Sequence, residues 1–306
     1  MQSNDHSGSA RLTPRSDPEK SPKDLARALS HAGYLADDGL ATAGFLAIRL
    51  ARPVFLEGEA GVGKTAFAHA LATATGTPLI RLQCYEGLDA AQALYDWDFA
   101  RQILHLRAME ATGGTADART LEAGLYDRRF LVARPLLRAL ETAPCVLLID
   151  EVDRADDEFE AYLLELLADW AVTIPEVGRI EAATPPTVVV TSNRTREVLD
   201  ALKRRCLYHW VDHPDPAREV AILRMRLPEV AEGLAGQVAA ATGRLRELEL
   251  VKPPGVAEAI DWAQALHALG AATLTPALAA STLGAVLKVR EDLDRVRPKL
   301  PALLET

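Results

Sequence analysis

The 306-residue sequence predicts an α/β fold, with a parallel sheet and surrounding helices, followed by an all-helical domain. Short apolar runs alternate with helical patterns as far as residue 211, which is typical of strand–helix–strand units. A glycine-rich loop joins the first of these runs to the helical pattern that follows it. The last third of the chain is almost wholly helical in its spacing. We therefore expect a disordered tail at 1–22, an α/β domain at 23–212 and a helical lid domain at 213–306.

Five apolar runs are the predicted strands of the sheet, and a helical stretch from Lys23 to Leu50 precedes them. Each run is short, continuous and buried in character, as strands of a parallel sheet covered on both faces should be. The runs are Val54–Leu56, Leu79–Leu82, Val146–Ile149, 187–193 and Leu207–Val211.

Composition and charge exclude several classes of protein. A hydrophobic content of 49% is ample for a core, and a net charge of −9 argues against general nucleic-acid binding, although it is compatible with a local basic lining. The widely spaced Cys84, Cys145 and Cys206 lack metal-ligand spacing, which indicates reduced core thiols. Neither a signal peptide nor a bilayer-spanning run is present in the sequence. We expect a cytoplasmic protein without a membrane span or a nucleic-acid partner.

The stretch "LEGEAGVGKTAF" at residues 56–67 predicts a phosphate-binding loop, because Gly58, Gly63, Lys64 and Thr65 fit G-x-x-x-x-G-K-[ST]. Backbone N–H groups at the start of the following helix would point at the phosphates. Lys64 would reach the β and γ phosphates of ATP, and Thr65 would hold Mg²⁺. The alternative, a glycine-rich turn that binds nothing, is disfavoured by the strand and helix on either side. The expected nucleotide-binding residues of the loop are Gly58, Glu59, Ala60, Gly61, Val62, Gly63, Lys64, Thr65 and Ala66.

Polar residues follow two later strands. Asp150 ends the third strand and would bind Mg²⁺ together with Thr65, while the adjacent Glu151 would accept a proton from the attacking water. Asn193 closes the fourth strand and would orient that water or touch the γ-phosphate. The alternative interpretation, which each residue taken alone would allow, is that the two acids are solvated residues at a strand end and that Asn193 is an ordinary turn residue. A phosphate-binding loop in the same chain favours the functional interpretation.

The basic run Lys203-Arg204-Arg205 has two interpretations. It is either a solvated basic face or an arginine finger that one subunit supplies to the γ-phosphate of its neighbour. The residues by themselves do not decide between the two.

The ordered set "GEAGVGKT", "VLLIDEVDRAD", "VVVTSNRTRE" and "DALKRRC" resembles the AAA+ ATPases, and within them the MoxR family. Longer stretches, such as "EFEAYLLELLADWAVTIPEVG" and "PPGVAEAIDWAQAL", resemble its CoxD-like branch, which is linked to maturation of molybdenum-copper carbon monoxide dehydrogenase. The resemblance covers roughly residues 25–290. The phosphate-binding loop is generic, whereas the run through 146–214 is specific.

The resemblance implies a P-loop AAA+ domain with a five-stranded parallel sheet in the order 5-1-4-3-2, and a hexameric ring with ATP between neighbours. Lys64 and Thr65 match the Walker A motif, Asp150 and Glu151 match Walker B, and Asn193 matches sensor 1.

The arginine finger of the family matches either Arg204 or Arg205. Spacing to Pro214 favours Arg204, whereas Cys206 at the usual aromatic position favours Arg205, the slightly preferred assignment.

In two further regions, the sensor 2 position and the first pore loop, the family pattern does not assign a single residue. The family commonly has a sensor 2 arginine in its lid, but this chain has Pro253–Val256 there, so Lys252, Arg244 or Arg246 would have to replace it. The segment 85–87 corresponds to the first pore loop, and for Tyr85 core packing is an equal alternative.

The family implies a chaperone-like ATPase that remodels or activates a metalloenzyme client, together with a partner that carries a von Willebrand factor A domain. Alternatives are an activator of another client, of the Rubisco or nitric oxide reductase type, or a nucleotide switch with little turnover. Glu151 argues against a pure switch, because a switch can dispense with a base. A DNA motor is disfavoured by the acidic charge balance.

Overall fold

The computed structural model describes residues 20–111 and 124–305, with only the backbone of Glu110. The predicted tail at 1–22 falls on residues 1–19, outside the described residues, except for its last three positions. Pro22 begins the first helix, whose N-cap Ser21 accepts a hydrogen bond from the Asp24 amide.

The strands alternate with helices along the first two thirds of the chain. They are β1 (Val54–Glu57), β2 (Leu79–Gln83), β3 (Tyr95–Trp97), β4 (Leu131–Ala133), β5 (Val146–Asp150), β6 (Ala171–Ile174), β7 (Gly178–Glu181), β8 (Thr187–Ser192) and β9 (Leu207–Trp210).

The helices surround the sheet and then continue alone after β9. They are α1 (Pro22–His31), α2 (Asp38–Leu50), α3 (Lys64–Thr75), α4 (Ala90–Leu94), α5 (Phe99–Ala111), α6 (Pro135–Glu141), α7 (Asp157–Asp169), α8 (Asp200–Arg205), α9 (Pro216–Arg226), α10 (Glu232–Arg246), α11 (Val256–Ala268), α12 (Pro276–Val286), α13 (Arg290–Val296) and α14 (Leu300–Leu304). Short 3₁₀ turns lie at Arg128–Phe130, Val152–Arg154 and Arg297–Lys299.

The main sheet has five parallel strands in the order β2-β5-β8-β1-β9. Counting only the strands of this sheet along the chain, this is the expected order 5-1-4-3-2, and the prediction is confirmed. The two remaining strand pairs, β3 with β4 and β6 with β7, are small and antiparallel. Elements β3, β4, α4 and α5 have no counterpart among the elements predicted from the sequence.

The five predicted strands are present, with boundaries shifted by one residue. Sheet strands β1, β2 and β5 each extend one residue further, and β8 and β9 each end one residue earlier. The helical stretch expected from Lys23 to Leu50 is divided into α1 and α2 by residues 32–37, where Gly33 has a φ of +81°, outside the helical region.

Side chains of the sheet alternate between two apolar cores. Val54 and Leu56 of β1 pack with α1, α2 and α3, whereas Phe55 packs on the opposite face with residues of α6 and α7. A third core, around the fully buried Trp262, joins the helices after β9. No helix in the described ranges has the length and apolar character needed to cross a bilayer.

The carboxyl ends of β1, β5 and β8 meet at one edge of the sheet, where the loop into α3 also begins. In open parallel sheets this edge is where ligands bind. The fold therefore brings the polar strand ends of the sequence into one place.

Candidate nucleotide-binding site

The loop between β1 and α3 depends on two glycines. A Cβ atom on Gly58 would lie 2.3 Å from the carbonyl oxygen of Val211, a distance that no side chain tolerates. Gly63 has a φ of +102° and is the N-cap of α3, where it offers no side chain to cap the first amides. These uncapped amides at a helix N-terminus form the kind of site that binds phosphate.

Lys64 is buried inside this loop and donates to the carbonyl oxygens of Gly58 at 2.7 Å and Glu59 at 2.6 Å. Burial lowers the pKa of Lys64 to about 8, although the carboxylates of Asp153 and Asp150 act in the opposite direction. The ammonium is thus held over the loop by weak neutral acceptors that an anion can replace.

Asp150 is buried at the end of β5 and accepts hydrogen bonds from two hydroxyl groups. The Oγ1 atom of Thr65 lies 3.0 Å from Asp150 Oδ1, and that of Thr191 lies 2.6 Å from the same oxygen. This oxygen-only set, a carboxylate and the hydroxyl beside it, suits Mg²⁺. Among the described residues no cluster of three or more His, Cys, Asp or Glu could hold a metal, so phosphate and water oxygens would have to complete the shell.

Arg81 is a member of the site that the sequence analysis missed. Its Nε and Nη2 atoms donate to Asp150 Oδ2 at 3.0 and 2.6 Å, and its side chain is about half exposed. The available signal was a charge at the third position of the otherwise apolar run Leu79–Leu82. Any cation that binds Asp150 shares this carboxylate with the guanidinium group.

Glu151 follows β5 in a left-handed conformation, with φ at +56°. Such a backbone costs a non-glycine residue about 1–2 kcal/mol and is found most often at functional sites. Its carboxylate accepts one amide hydrogen bond on each oxygen, from Asn193 Nδ2 at 3.1 Å and from Gln83 Nε2 at 3.0 Å. The predicted pair of Glu151 and Asn193 is in contact, and Gln83 at the end of β2 is a further partner that the sequence analysis missed.

Asp153 holds the loop that carries Asn193. Its buried carboxylate accepts the backbone amides of Asn193 at 3.2 Å and Thr195 at 2.8 Å, and the Thr195 hydroxyl at 2.7 Å. Burial alone would raise the pKa of Asp153, but these hydrogen bonds outweigh it and hold that pKa below its usual value. The loop after β8 is thereby fixed relative to Glu151.

An apolar cavity of about 200 Å³ lies beside the loop, between the segment around Tyr34 and helices α9 and α11. Val62, Ile222, Met225 and Ile260 are among its lining residues. Arg218 ties its wall together, because Nη2 donates to the Leu35 carbonyl at 2.7 Å and Nη1 to Asp37 at 3.3 Å. Cavities with this lining can take a planar, weakly polar group such as a nucleotide base.

The first turn of α11 contacts the loop through its backbone. The amides of Val256 and Ala257 donate to the Gly61 carbonyl at 3.0 and 3.3 Å. This is the position where the resemblance implied a sensor 2 arginine.

The three substitutes considered for that arginine have other surroundings. Arg246 forms a two-nitrogen ion pair with the buried Glu219, at 2.7 and 2.6 Å, and donates to the Pro254 carbonyl. Arg244 donates to carbonyl oxygens near residue 303, and Lys252 is exposed. Both arginines thus bind residues of the helical part of the chain after β9.

The three basic side chains of α8 have different surroundings. Lys203 binds Glu57 of its own chain at 3.0 Å. Arg204 is 81% exposed, with a 3.5 Å contact to Asp200, and Arg205 donates to the Leu164 carbonyl. None of these three side chains has a partner within the described loop 58–66.

The segment expected at a pore lines an open depression of about 910 Å³ that reaches Glu151 and the start of α7. Tyr85 is half exposed there, with its hydroxyl 3.0 Å from Gln92 Oε1. Tyr95 and Trp97 pack against the core, whereas Phe99 is exposed.

A family model described as AAA domain (dynein-related subfamily) matches residues 53–206, which contain the loop, both acids and α8. This chain belongs to the AAA ATPases. Membership in this family makes the chain a nucleotide-binding ATP hydrolase. The matched range contains all five strands of the main sheet except the last, and with them Lys64 after β1, Asp150 at the end of β5 and Asn193 after β8.

A curated relative of this AAA ATPase is Protein NorQ of Paracoccus denitrificans, which is 30% identical over 179 residues. The match covers 56% of each chain, so this chain spans about half the length of that relative. The RuvB Holliday junction branch migration motor of Thermotoga maritima is 17% identical, with a TM-score of 0.47 over 85% of this chain and 66% of that one. A mutant of the same motor is 16% identical, with a TM-score of 0.48 over 89% and 72%.

Proposed function

We propose that this AAA ATPase binds and hydrolyses ATP at the edge formed by the loop 58–66, Asp150, Glu151 and Asn193. The observation that carries the proposal is the Glu151 carboxylate, held by one amide on each oxygen and close to the buried Lys64. A carboxylate positioned in this way can accept a proton from water. The ammonium of Lys64 would exchange two carbonyl oxygens for phosphate oxygens, which gain more from its charge.

Mg²⁺ fits the same site. Asp150 and Thr65 would hold it, and when bound it neutralises charge on the phosphates. The base of the nucleotide would occupy the apolar cavity beside Tyr34, and the backbone contact between Val256 and Gly61 would couple the lid to the loop. This arrangement keeps the division proposed from the sequence, with an α/β domain to residue 212 and a lid after it.

The chain would act as a hexameric ring in which each subunit supplies an arginine to its neighbour. Support comes from the exposed Arg204 and from Arg205 beside it, neither of which contacts the phosphate-binding loop of its own chain. A planar guanidinium suits charge that develops on a transferred phosphoryl group. Assembly in a ring is typical of the family.

The biological role that we infer is that of a MoxR-type chaperone which remodels or activates a metalloenzyme with a von Willebrand factor A domain partner. The similarity to Protein NorQ supports a MoxR-type protein. Within this class we retain the CoxD-like branch, and hence carbon monoxide dehydrogenase maturation, on the sequence resemblance alone. A client of the Rubisco or nitric oxide reductase type is the alternative. Cys84, Cys145 and Cys206 are buried thiols, which is compatible with a cytoplasmic location.

Two variants test the hydrolytic proposal. Lys64→Ala removes the ammonium, so ATP binding and turnover should both decrease. Glu151→Gln keeps the shape and one amide-accepting oxygen but removes the base, so ATP should bind and persist while phosphate release falls by about a hundredfold or more. Wild-type turnover of the Gln variant would exclude Glu151 as the base and favour a different site of chemistry.

Mixed rings test the shared arginine. Lys64→Ala subunits keep Arg204 and Arg205, and subunits with Arg204→Ala and Arg205→Ala keep an intact loop. Rings that contain both should hydrolyse ATP more than the sum of the two separate proteins. No gain, in rings shown by native mass spectrometry to contain both, would mean that the basic run is a solvated face or a binding patch.

A further inference from the structure

One buried ion pair links the phosphate-binding loop to the helix that carries the exposed arginine. Glu57 is the last residue of β1, directly before Gly58, and its side chain is 7% exposed. Its carboxylate accepts the Lys203 ammonium at 3.0 Å and the Tyr208 hydroxyl at 2.8 Å. A buried carboxylate is stable only with such partners, so the Glu57–Lys203 contact is specified strongly.

Helix α8 is held to β1 at a second point. Arg52, just before β1, donates to the carbonyl oxygens of Arg204, Arg205 and Cys206 at 3.2–3.4 Å and so caps the end of α8. The ammonium of Lys203 also lies 5.5 Å from the ring centroid of Phe55, in the middle of β1. Phe55 and Glu57 of the strand that leads into the loop therefore both contact Lys203 of α8, and Arg52 just before the strand contacts the end of α8.

The Arg52 contact and the Glu57–Lys203 contact differ in the residues next to them. Arg52 donates to backbone oxygens at the end of α8. Glu57 precedes Gly58, whose carbonyl oxygen accepts Lys64 Nζ at 2.7 Å. A phosphate that takes Lys64 away from this oxygen changes the loop one residue from Glu57, and Glu57 binds the residue next to Arg204.

We propose that Glu57 and Lys203 are a positioning pair that couples each subunit's phosphate-binding loop to the arginine which that subunit offers to its neighbour. The inference rests on the proposed function, because it needs the arginine to act in the adjacent site. The pair touches neither nucleotide nor reacting atoms. It sets where α8, and with it Arg204 and Arg205, lies relative to the loop.

The experiment introduces one substitution into either of the two subunits that together form an active site. Donor subunits carry Lys64→Ala and keep both arginines; acceptor subunits carry Arg204→Ala and Arg205→Ala and keep the loop. Lys203→Met, which keeps the apolar stem over Phe55 but loses the charge, is then added to the donor or to the acceptor. The rate and the ATP concentration dependence of phosphate release are measured in rings of verified composition.

In the donor, Lys203→Met should lower kcat by about tenfold or more with unchanged KM, because displaced catalytic groups lose rate rather than ground-state binding. In the acceptor, whose arginines are already absent, the same substitution should lower kcat by less than about twofold, because it no longer displaces a catalytic arginine. Lys203→Arg in the donor should restore most of the rate. Equal losses on both sides, or no loss in the donor, would overturn the pair's role in positioning the neighbour's arginine.

Two further variants separate this effect from misfolding. Glu57→Gln combined with Lys203→Met removes the unpaired buried charge, and in the donor it should give the same loss of kcat. Tyr208→Phe takes away the other partner of Glu57 without touching α8, so kcat should stay at the donor's level; a loss equal to that of Lys203→Met would contradict the proposal. If the unsubstituted donor itself fails to restore hydrolysis, the shared arginine is wrong and this proposal falls with it.

Discussion

The side-chain amide of Asn193 lies 3.1 Å from the carboxylate of Glu151 and joins the ends of two neighbouring strands, β8 and β5. The two residues are 42 positions apart in the chain. Because Glu151 also accepts an amide from Gln83 of β2, its carboxylate is held by two residues, one at the end of each strand that flanks β5. This geometry explains how a residue on a strained turn can keep one orientation.

Asn193→Ala should lower turnover by about ten- to a hundredfold with little change in ATP affinity, since it frees one oxygen of the proposed base. Asn193→Asp should be at least as harmful, because a carboxylate has no N–H to donate to Glu151 and repels its charge. Steady-state phosphate release and fluorescent nucleotide binding measure the two effects. An Asn193→Ala variant that lost binding but kept its rate would contradict this assignment.

ATP affinity should fall as the pH rises through about 8, the value to which burial lowers the pKa of Lys64. The phosphates bind the protonated lysine, so above this pKa each bound nucleotide must take up a proton. The loss should approach about tenfold per pH unit until the pKa of the bound form is reached. Nucleotide titrations at a series of pH values test this.

Lys64→Arg is the matched control for that titration, because a guanidinium keeps its charge at every pH used. Its affinity, although weaker, should be independent of pH over the same range. A parallel decrease in both proteins would assign the pH dependence to another group.

Arg81→Ala should reduce the Mg²⁺ concentration that gives half-maximal turnover by about three- to tenfold, a modest factor because the guanidinium is half exposed. The physical reason is that Arg81 donates twice to Asp150 and competes with any cation there. Arg81→Lys, which keeps the charge, should stay near the wild-type value. A higher Mg²⁺ requirement in the Ala variant would show that Arg81 orients Asp150 rather than competing for it.

Arg246→Ala should destabilise the protein by about 3–5 kcal/mol, because it leaves Glu219 buried without its partner. Arg246→Met combined with Glu219→Leu should recover most of that loss. Arg244→Ala, which removes contacts to the backbone carbonyl oxygens of Leu303 and Glu305, should cost less than about 1 kcal/mol. Urea unfolding measures all three. An Arg246→Ala protein with normal stability but no turnover would instead identify Arg246 as the missing sensor 2.

The sequence by itself determined the sheet and the residues of the loop. Continuous apolar runs are a local signal for buried parallel strands, and the G-x-x-x-x-G-K-[ST] spacing is a local requirement of the backbone around phosphate. The observed strand boundaries differ from the predicted ones by one residue, because the end of a strand depends on its pairing with residues of neighbouring strands, such as Thr191 of β8 and Asp150 of β5. The spacing of residues along the chain does not show this pairing.

Only the tertiary structure decided which side chains meet. Arg81, Gln83 and the Glu57–Lys203 pair have no motif, because each acts through a partner 68 to 146 positions away. The lid sequence contains arginines at positions that fit the sensor 2 role, but Arg246 is paired with the buried Glu219. Backbone amides of α11 contact the loop instead. Burial of a charge forces a partner, and the partner is chosen by packing across the sheet rather than by sequence neighbours.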